Sequence, residues 1–183
     1  MYTIASLLDV DSEIGIKGLW HILEEKCSLR GIKLTPLPHI TWLASQDYQV
    51  DEVESFLETF TSHHKPFEIR TSGLGLFTGD RITLYLALVH STRLTQLHKE
   101  LWTRLKRPGL ANYYYAPDYW VPHITLANKD VDQANISCAI GELAGKSMNF
   151  NINIPSIAIL YDNQGEIGVK SIYNFGGPKN NII

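Results

Sequence analysis

One tetrapeptide occurs twice in the chain. Pro38-His39-Ile40-Thr41 returns as Pro122-His123-Ile124-Thr125. The residues after each copy also match. A segment with helical apolar spacing comes first, and a strand pattern comes after it. Phe67 lies 28 residues after His39 and Phe150 lies 27 after His123. The stretches FEIRTSGLGLF and FNINIPSIAIL then align without a gap. Random placement of 7 His and 12 Thr in 183 residues gives about half a His-x-Thr, so a single copy would carry no weight. Two identical tetrapeptides at matched places in a longer repeat point instead to a duplication. Such a chain folds into two halves related by a pseudo-twofold axis.

Periodicity and turn residues supply the elements. Tyr2 to Val10 reads as a buried strand. Asp11 or Ser12 caps a helix with Ile16, Leu19, Trp20, Leu23 and Cys27 on one face and Gly31 beyond its end. Pro38 to Ala44 is a short strand, and Asp51 opens a helix carrying Val53, Phe56, Leu57 and Phe60. Phe67 to Phe77 and Arg81 to Val89 form a hairpin around Thr-Gly-Asp. Ser91 or Thr92 starts a helix with Leu94, Leu97, Leu101 and Leu105 inside, and it stops at Pro108-Gly109. A loop runs from Leu110 to Trp120, a strand from Val121 to Ala127 and a weaker helix from Asp132 to Leu143. Phe150 to Tyr161 and Ile167 to Phe175 are the last strands, and the tail from about residue 177 is expected to fray. Helices and hairpins mix without steady alternation. The predicted fold is therefore α+β and bilobal, a single domain over residues 1–183, with antiparallel sheets flanked by helices and a central cleft.

Composition narrows the function. A formal net charge of -3 with 44% hydrophobic and 19% charged residues describes an ordinary globular chain. Duplex DNA held through many phosphates needs clustered cations and is not expected. No stretch approaches the roughly 18 apolar residues of a membrane span. MYTIASLLDV has no basic start, so a cytoplasmic monomer without membrane contact is expected. Cys27 and Cys138 are too few for a disulfide framework and read as buried reduced thiols. No Gly-rich phosphate loop and no Cys/His ligand cluster occur, so neither a cofactor nor a metal is expected.

Residues i and i+2 of a strand share a face. His39 and Thr41 therefore project together, as do His123 and Thr125, while Ile40 and Ile124 anchor the other face. Brought together across a pseudo-twofold, the pairs form a cleft with two imidazoles and two hydroxyls. That set suits phosphodiester chemistry. One imidazole takes a proton from water and the other gives one to the leaving oxygen. The threonine hydroxyls donate to the non-bridging oxygens.

The paired His-x-Thr motifs, half a chain apart, resemble the two-histidine (2H) phosphoesterase superfamily, which includes 2′-5′ RNA ligases and cyclic phosphodiesterases. The resemblance covers nearly the whole chain. It implies a bilobal α+β fold, His39 and His123 as acid and base, Thr41 and Thr125 as phosphate contacts, and a nucleotide or RNA-end phosphate as substrate. The bacterial RNA branch commonly continues its second motif as His-x-Thr-Leu-Ala-Arg. Here the sixth residue is Asn128, with Lys129 next. Phe77 closes a Gly-Leu-Gly-Leu-Phe stretch like the family strand whose aromatic residue can lie near the nucleobase.

Further candidates lie in NYYYAPDYW, residues 112–120, directly before the second motif. Tyr115 and Tyr119 are candidates to stack on a base, with Asn128 as a polar contact. Arg93, Lys99, Arg104, Lys106 and Arg107 make a basic stripe that could guide an anion. The expected activity is hydrolysis of a 2′,3′-cyclic or related 2′-linked phosphodiester. RNA-end hydrolysis or 2′-5′ joining is the alternative within enzymes, and a non-catalytic nucleotide- or RNA-binding module is the alternative outside them.

Overall fold

Each predicted element forms, and most differences lie at their ends. The computed structural model describes residues 1–107, 113–163, 166–177 and 179–180. Strand β1 (Tyr2–Leu7) ends early because Asp9, not Asp11 or Ser12, caps α1 (Val10–Cys27). The Asp9 carboxylate accepts the Ser12 amide at 3.0 Å, satisfying a donor that the first helical turn leaves open. The apolar face read from the sequence points inward, with Ile16, Leu19, Trp20, Leu23 and Cys27 all buried. Next come β2 (His39–Ser45), α2 (Val50–Ser62), the hairpin β3 (Phe67–Phe77) and β4 (Thr83–Leu88), α3 (Thr92–Leu105), β5 (His123–Ala127) and α4 (Ile136–Ala144).

The expected strand from Phe150 to Tyr161 is two strands, β6 (Asn151–Ile154) and β7 (Ser156–Asn163). Pro155 separates them because it has no N–H for the ladder. The halves go to different partners: β6 pairs with β3, and β7 pairs with β1 and β8 (Glu166–Asn174). The tail does not simply fray after residue 177, since β9 (Lys179–Asn180) pairs with β8. Residues 181–183 lie outside the described residues.

The described strands pair in the order β6-β3-β4-β5-β2-β1-β7-β8-β9, every pairing antiparallel. The two expected sheets thus join through β2 and β5, whose paired residues are Ile40 and Ile124. Outward from that joint the order is symmetric: β2 and β5, then β1 and β4, then β7 and β3. The duplicated unit is therefore β1-α1-β2-α2-β3 matched by β4-α3-β5-α4-β7. Helices α1 and α3 swap sides, with α1 packing on β5 and α3 on β2. Ile40, Trp42, Ile124 and Leu126 are fully buried under them, in one continuous core. The other face of β2 and β5 is left for the cleft.

Cys27 and Cys138 are not the reduced thiols expected. They form a disulfide between the end of α1 and the start of α4. The 111 residues separating them hid their proximity, which arises only when α1 packs against α4. No described helix is long and apolar enough to cross a membrane.

Candidate active site

The pairing of Ile40 with Ile124 fixes the site. Antiparallel register about that pair sets His39 opposite Thr125 and Thr41 opposite His123. Ile40 and Ile124 are fully buried on the helix side, while the two histidines and two threonines are partly exposed on the other. The motif residues therefore meet in a crossed arrangement, each imidazole beside the other motif's hydroxyl.

Both imidazoles are held the same way. Nδ1 of His39 lies 2.7 Å from the Leu37 carbonyl, and Nδ1 of His123 lies 2.7 Å from the Val121 carbonyl. A carbonyl only accepts, so each Nδ1 carries a proton and donates. Nε2 is left as the working atom on each ring. Burial pushes the pKa of both histidines below the ordinary imidazole value, partly offset by those carbonyls. Charge on His39 pushes His123 down further, so the two sites are close enough to couple.

The ladder is interrupted just past each threonine. Ala5 pairs with Thr41 but Ile4 with Leu43, leaving Trp42 as an extra residue. Tyr85 pairs with Thr125 but Leu84 with Ala127, leaving Leu126 extra. At each bulge an indole N–H reaches the threonine carbonyl. Trp120 donates to Thr41 and Trp20 to Thr125, both at 3.1 Å. Trp120 is itself stacked on His98, with centroids 3.8 Å apart. Trp20 and Trp120 thus tie down the backbone of both phosphate-contact candidates. A bulge has no signature in a strand pattern, so sequence reasoning placed Trp20 on a core face and Trp120 in the aromatic run but missed the carbonyls they hold.

A cleft of about 590 Å³ opens on this face, with His39, Thr41, Thr125, Asn128, Tyr114 and Tyr115 in its wall. Of the sequence candidates, Tyr115 and Asn128 therefore reach it. Asn128 is set by the loop after β5, where the Asp130 carboxylate accepts the Arg30 and Gly31 amides. A Cβ at Gly31 would stand 2.1 Å from the Asn128 carbonyl oxygen, so only glycine permits that approach. Tyr119 does not line the cleft. It is 54% exposed, and its ring packs on Tyr113 with centroids 4.2 Å apart. Asn112 lies outside the described residues.

His123 stands at the side of this cavity rather than in its wall. Phe77 meets its ring edge-on with centroids 4.9 Å apart, and Tyr85 lies 5.1 Å away. Phe77 is thus beside a histidine, and it does not line the cleft. Tyr85 was not singled out from the sequence. The register Gly75–Tyr85 across the hairpin is the signal that could have found it, because an aromatic ring settles over a cross-strand glycine. The described residues bring one His/Glu trio to metal-ligand spacing, His21, Glu24 and Glu25, on α1 away from the cleft. Glu24 there is engaged by Lys33 and Arg30.

The fold and motifs have relatives. The crystal structure of TT0787 from Thermus thermophilus superposes with a TM-score of 0.67 over 96% of this chain and 98% of that one, at 14% identity. At that identity the likeness speaks for the fold. A search of curated proteins returned no match. The profile of one family, described as the 2′-5′ RNA ligase superfamily, matches residues 23–166 and so spans both His-x-Thr motifs. The chain belongs to the 2′-5′ RNA ligase superfamily.

Proposed function

We propose that this protein is a phosphodiesterase that opens 2′,3′-cyclic phosphates, with His39 and His123 as its proton-transfer pair and no metal in the step. The observation that carries this reading is the crossed register about Ile40 and Ile124, which sets two imidazoles and two hydroxyls on one face. Nε2 of one histidine takes a proton from water as the water oxygen bonds to phosphorus. Nε2 of the other gives its proton to the ring oxygen as the P–O bond breaks. The product is a monoester beside a free hydroxyl. Thr41 and Thr125 donate to the non-bridging oxygens, where charge grows in the transition state. Their carbonyls, held by Trp120 and Trp20, keep those hydroxyls in place.

The same pair, with a hydroxyl group taking the place of water as nucleophile, joins a cyclic end to that hydroxyl, the reaction that the superfamily carries in its name. One experiment separates the readings: 2′,3′-cyclic AMP is incubated with the protein, with and without excess chelator, and the products are identified. Turnover to a monoester that survives chelation is expected. Loss on chelation, restored by a divalent ion, overturns the metal-free step. Binding without turnover moves the protein to the class of nucleotide-binding modules.

A further inference from the structure

The buried face of α3 is leucine at Leu94, Leu97, Leu101 and Leu105, and His98 interrupts it. His98 is as buried as they are. An imidazole in place of leucine there costs free energy, the more so because its Nε2 makes no hydrogen bond among the described residues. What the ring supplies is a flat surface. It lies on the Trp120 indole with centroids 3.8 Å apart and planes 4° from parallel. The carbonyls of Tyr115 and Trp42 face the imidazole, so it touches both the cleft-lining segment and the bulge of β2. Trp120 needs such a support. Trp20, the other indole donor, is fixed by the middle of the 18-residue helix α1. Trp120 lies in neither helix nor strand.

We infer that His98 is a positioning residue of the active site: its ring holds the Trp120 indole in the plane that aims Nε1–H at the Thr41 carbonyl, and so fixes where the Thr41 hydroxyl meets the phosphate. The role rests on the proposed phosphodiesterase reading and adds a residue to its machinery. Trp120 stacks on Trp42 as well, with centroids 5.5 Å apart and planes 20° apart. Trp42 is the extra residue of the bulge beside Thr41, so a tilt of the Trp120 ring both loosens that bulge and swings the N–H off the carbonyl. A hydrogen bond weakens steeply once its angle falls below about 120°. Leucine at position 98 would fill much of the same volume and offer no flat surface. Thr125 depends on Trp20 instead, which makes it the internal control.

The test is a double-mutant cycle on 2′,3′-cyclic AMP, at a temperature where thermal melts show each variant folded. His98→Leu should lower kcat by about tenfold and move KM far less, because the hydroxyl acts most in the transition state and a 1 Å misplacement costs up to about a hundredfold. His98→Phe, which keeps a flat ring, should recover most of the loss. In a Thr41→Val background His98→Leu should cost less than about twofold more, whereas in a Thr125→Val background it should cost the full tenfold. If His98→Leu does not fold, His98→Gln enters the same cycle. Equal costs in the two backgrounds overturn the positioning role, since they mark a general loss of structure, and so does near-wild-type kcat in His98→Leu. A second readout needs no turnover: hydrogen exchange at the indole N–H groups of isotope-labelled protein. Losing the His98 ring should speed exchange at Trp120 and leave Trp20 unchanged. If wild type does not cleave the nucleotide, the phosphodiesterase reading fails by itself. Faster exchange at Trp120 then still supports the hold by His98, and unchanged exchange overturns it.

Discussion

Gly75 lies on β3 at a position that need not touch substrate, yet adding one methyl group there should disable the site. A Cβ on Gly75 would lie 2.4 Å from the ring carbons Cε2 and Cζ of Tyr85 and 2.6 Å from its hydroxyl oxygen. Carbon atoms pack no closer than about 3.5 Å, so the ring must withdraw by about 1 Å. Tyr85 is 9% exposed and has little room to do so. Its centroid is 4.3 Å from that of Phe77 and 5.1 Å from that of His123, so the displacement passes to the histidine side. A 1 Å misplacement of a catalytic group costs up to about a hundredfold. Gly75→Ala should therefore lower kcat/KM by about ten- to a hundredfold, while the fold survives an overpacking cost of about 1–3 kcal/mol. The assay is kcat/KM on 2′,3′-cyclic AMP, with thermal melts alongside, for Gly75→Ala, Tyr85→Ala and the double variant. In the Tyr85→Ala background the added methyl meets no ring, so Gly75→Ala should there cost almost nothing more. An equal cost in both backgrounds would refute the reasoning, and so would near-wild-type activity in Gly75→Ala itself.

Other outcomes rest on the same geometry. His39→Ala and His123→Ala should each lower kcat by about 10²- to 10⁴-fold, and the double variant should lose less than the product of the two, as single-turnover rates will show. Burial lowers both imidazole pKa values in the free protein, so the singly protonated pair is most populated below pH 6.5. The kcat/KM profile should peak there, and kcat should peak at higher pH because bound phosphate favours the imidazolium; a kcat/KM maximum above 7 contradicts this. His98 is 1% exposed, and burial lowers its pKa to about 4. The unfolded chain then binds the extra proton first, so this contribution is complete above about pH 6.5 and is lost as pH falls towards 4, up to about 3 kcal/mol in all. Urea midpoints of wild type should fall over that range by more than those of His98→Gln. Reducing the Cys27–Cys138 disulfide, which closes a loop of 111 residues, should lower stability by up to about 5 kcal/mol in denaturant titrations with and without a thiol reductant.

Local signals in the sequence carried most of the architecture. Apolar spacing placed the inner faces of α1 and α3, because Ile16, Leu23, Leu94 and Leu101 must meet the same core whatever surrounds them. The repeated tetrapeptide carried the central pair of strands and the side on which the imidazoles lie. What needed the fold were the partners. Pro155 could be seen as a break, but not that β6 would cross to β3 while β7 joined β1. The disulfide was hidden for the same reason, since α1 and α4 meet only after the two halves dock. Tyr119 sat in an aromatic run beside the second motif, but proximity along the chain did not decide which ring turns to the cleft; Tyr115 does and Tyr119 does not.

The bulges show where strand parity stops being a guide. Up to Thr41 and Thr125, alternation holds and puts imidazole and hydroxyl on one face. One residue later each ladder slips, at Trp42 and at Leu126, and the next side chains are all buried. Beyond the slip the side chains of both strands are more buried, although Ala44 and Ser45 of β2 still reach the cleft wall. Each slip comes directly after a threonine whose carbonyl accepts an indole proton from outside its own motif strand. For Thr125 the donor is on α1, and for Thr41 it is at the end of the segment leading into β5. Each half of the molecule thus holds the other half's threonine in place. The duplication brings the four motif side chains together, and the crossed indoles tie the backbone of each threonine to the other half. Unlike the tetrapeptides, the two tryptophans do not occupy matched places in the repeat: Trp20 lies on α1 and Trp120 directly before β5.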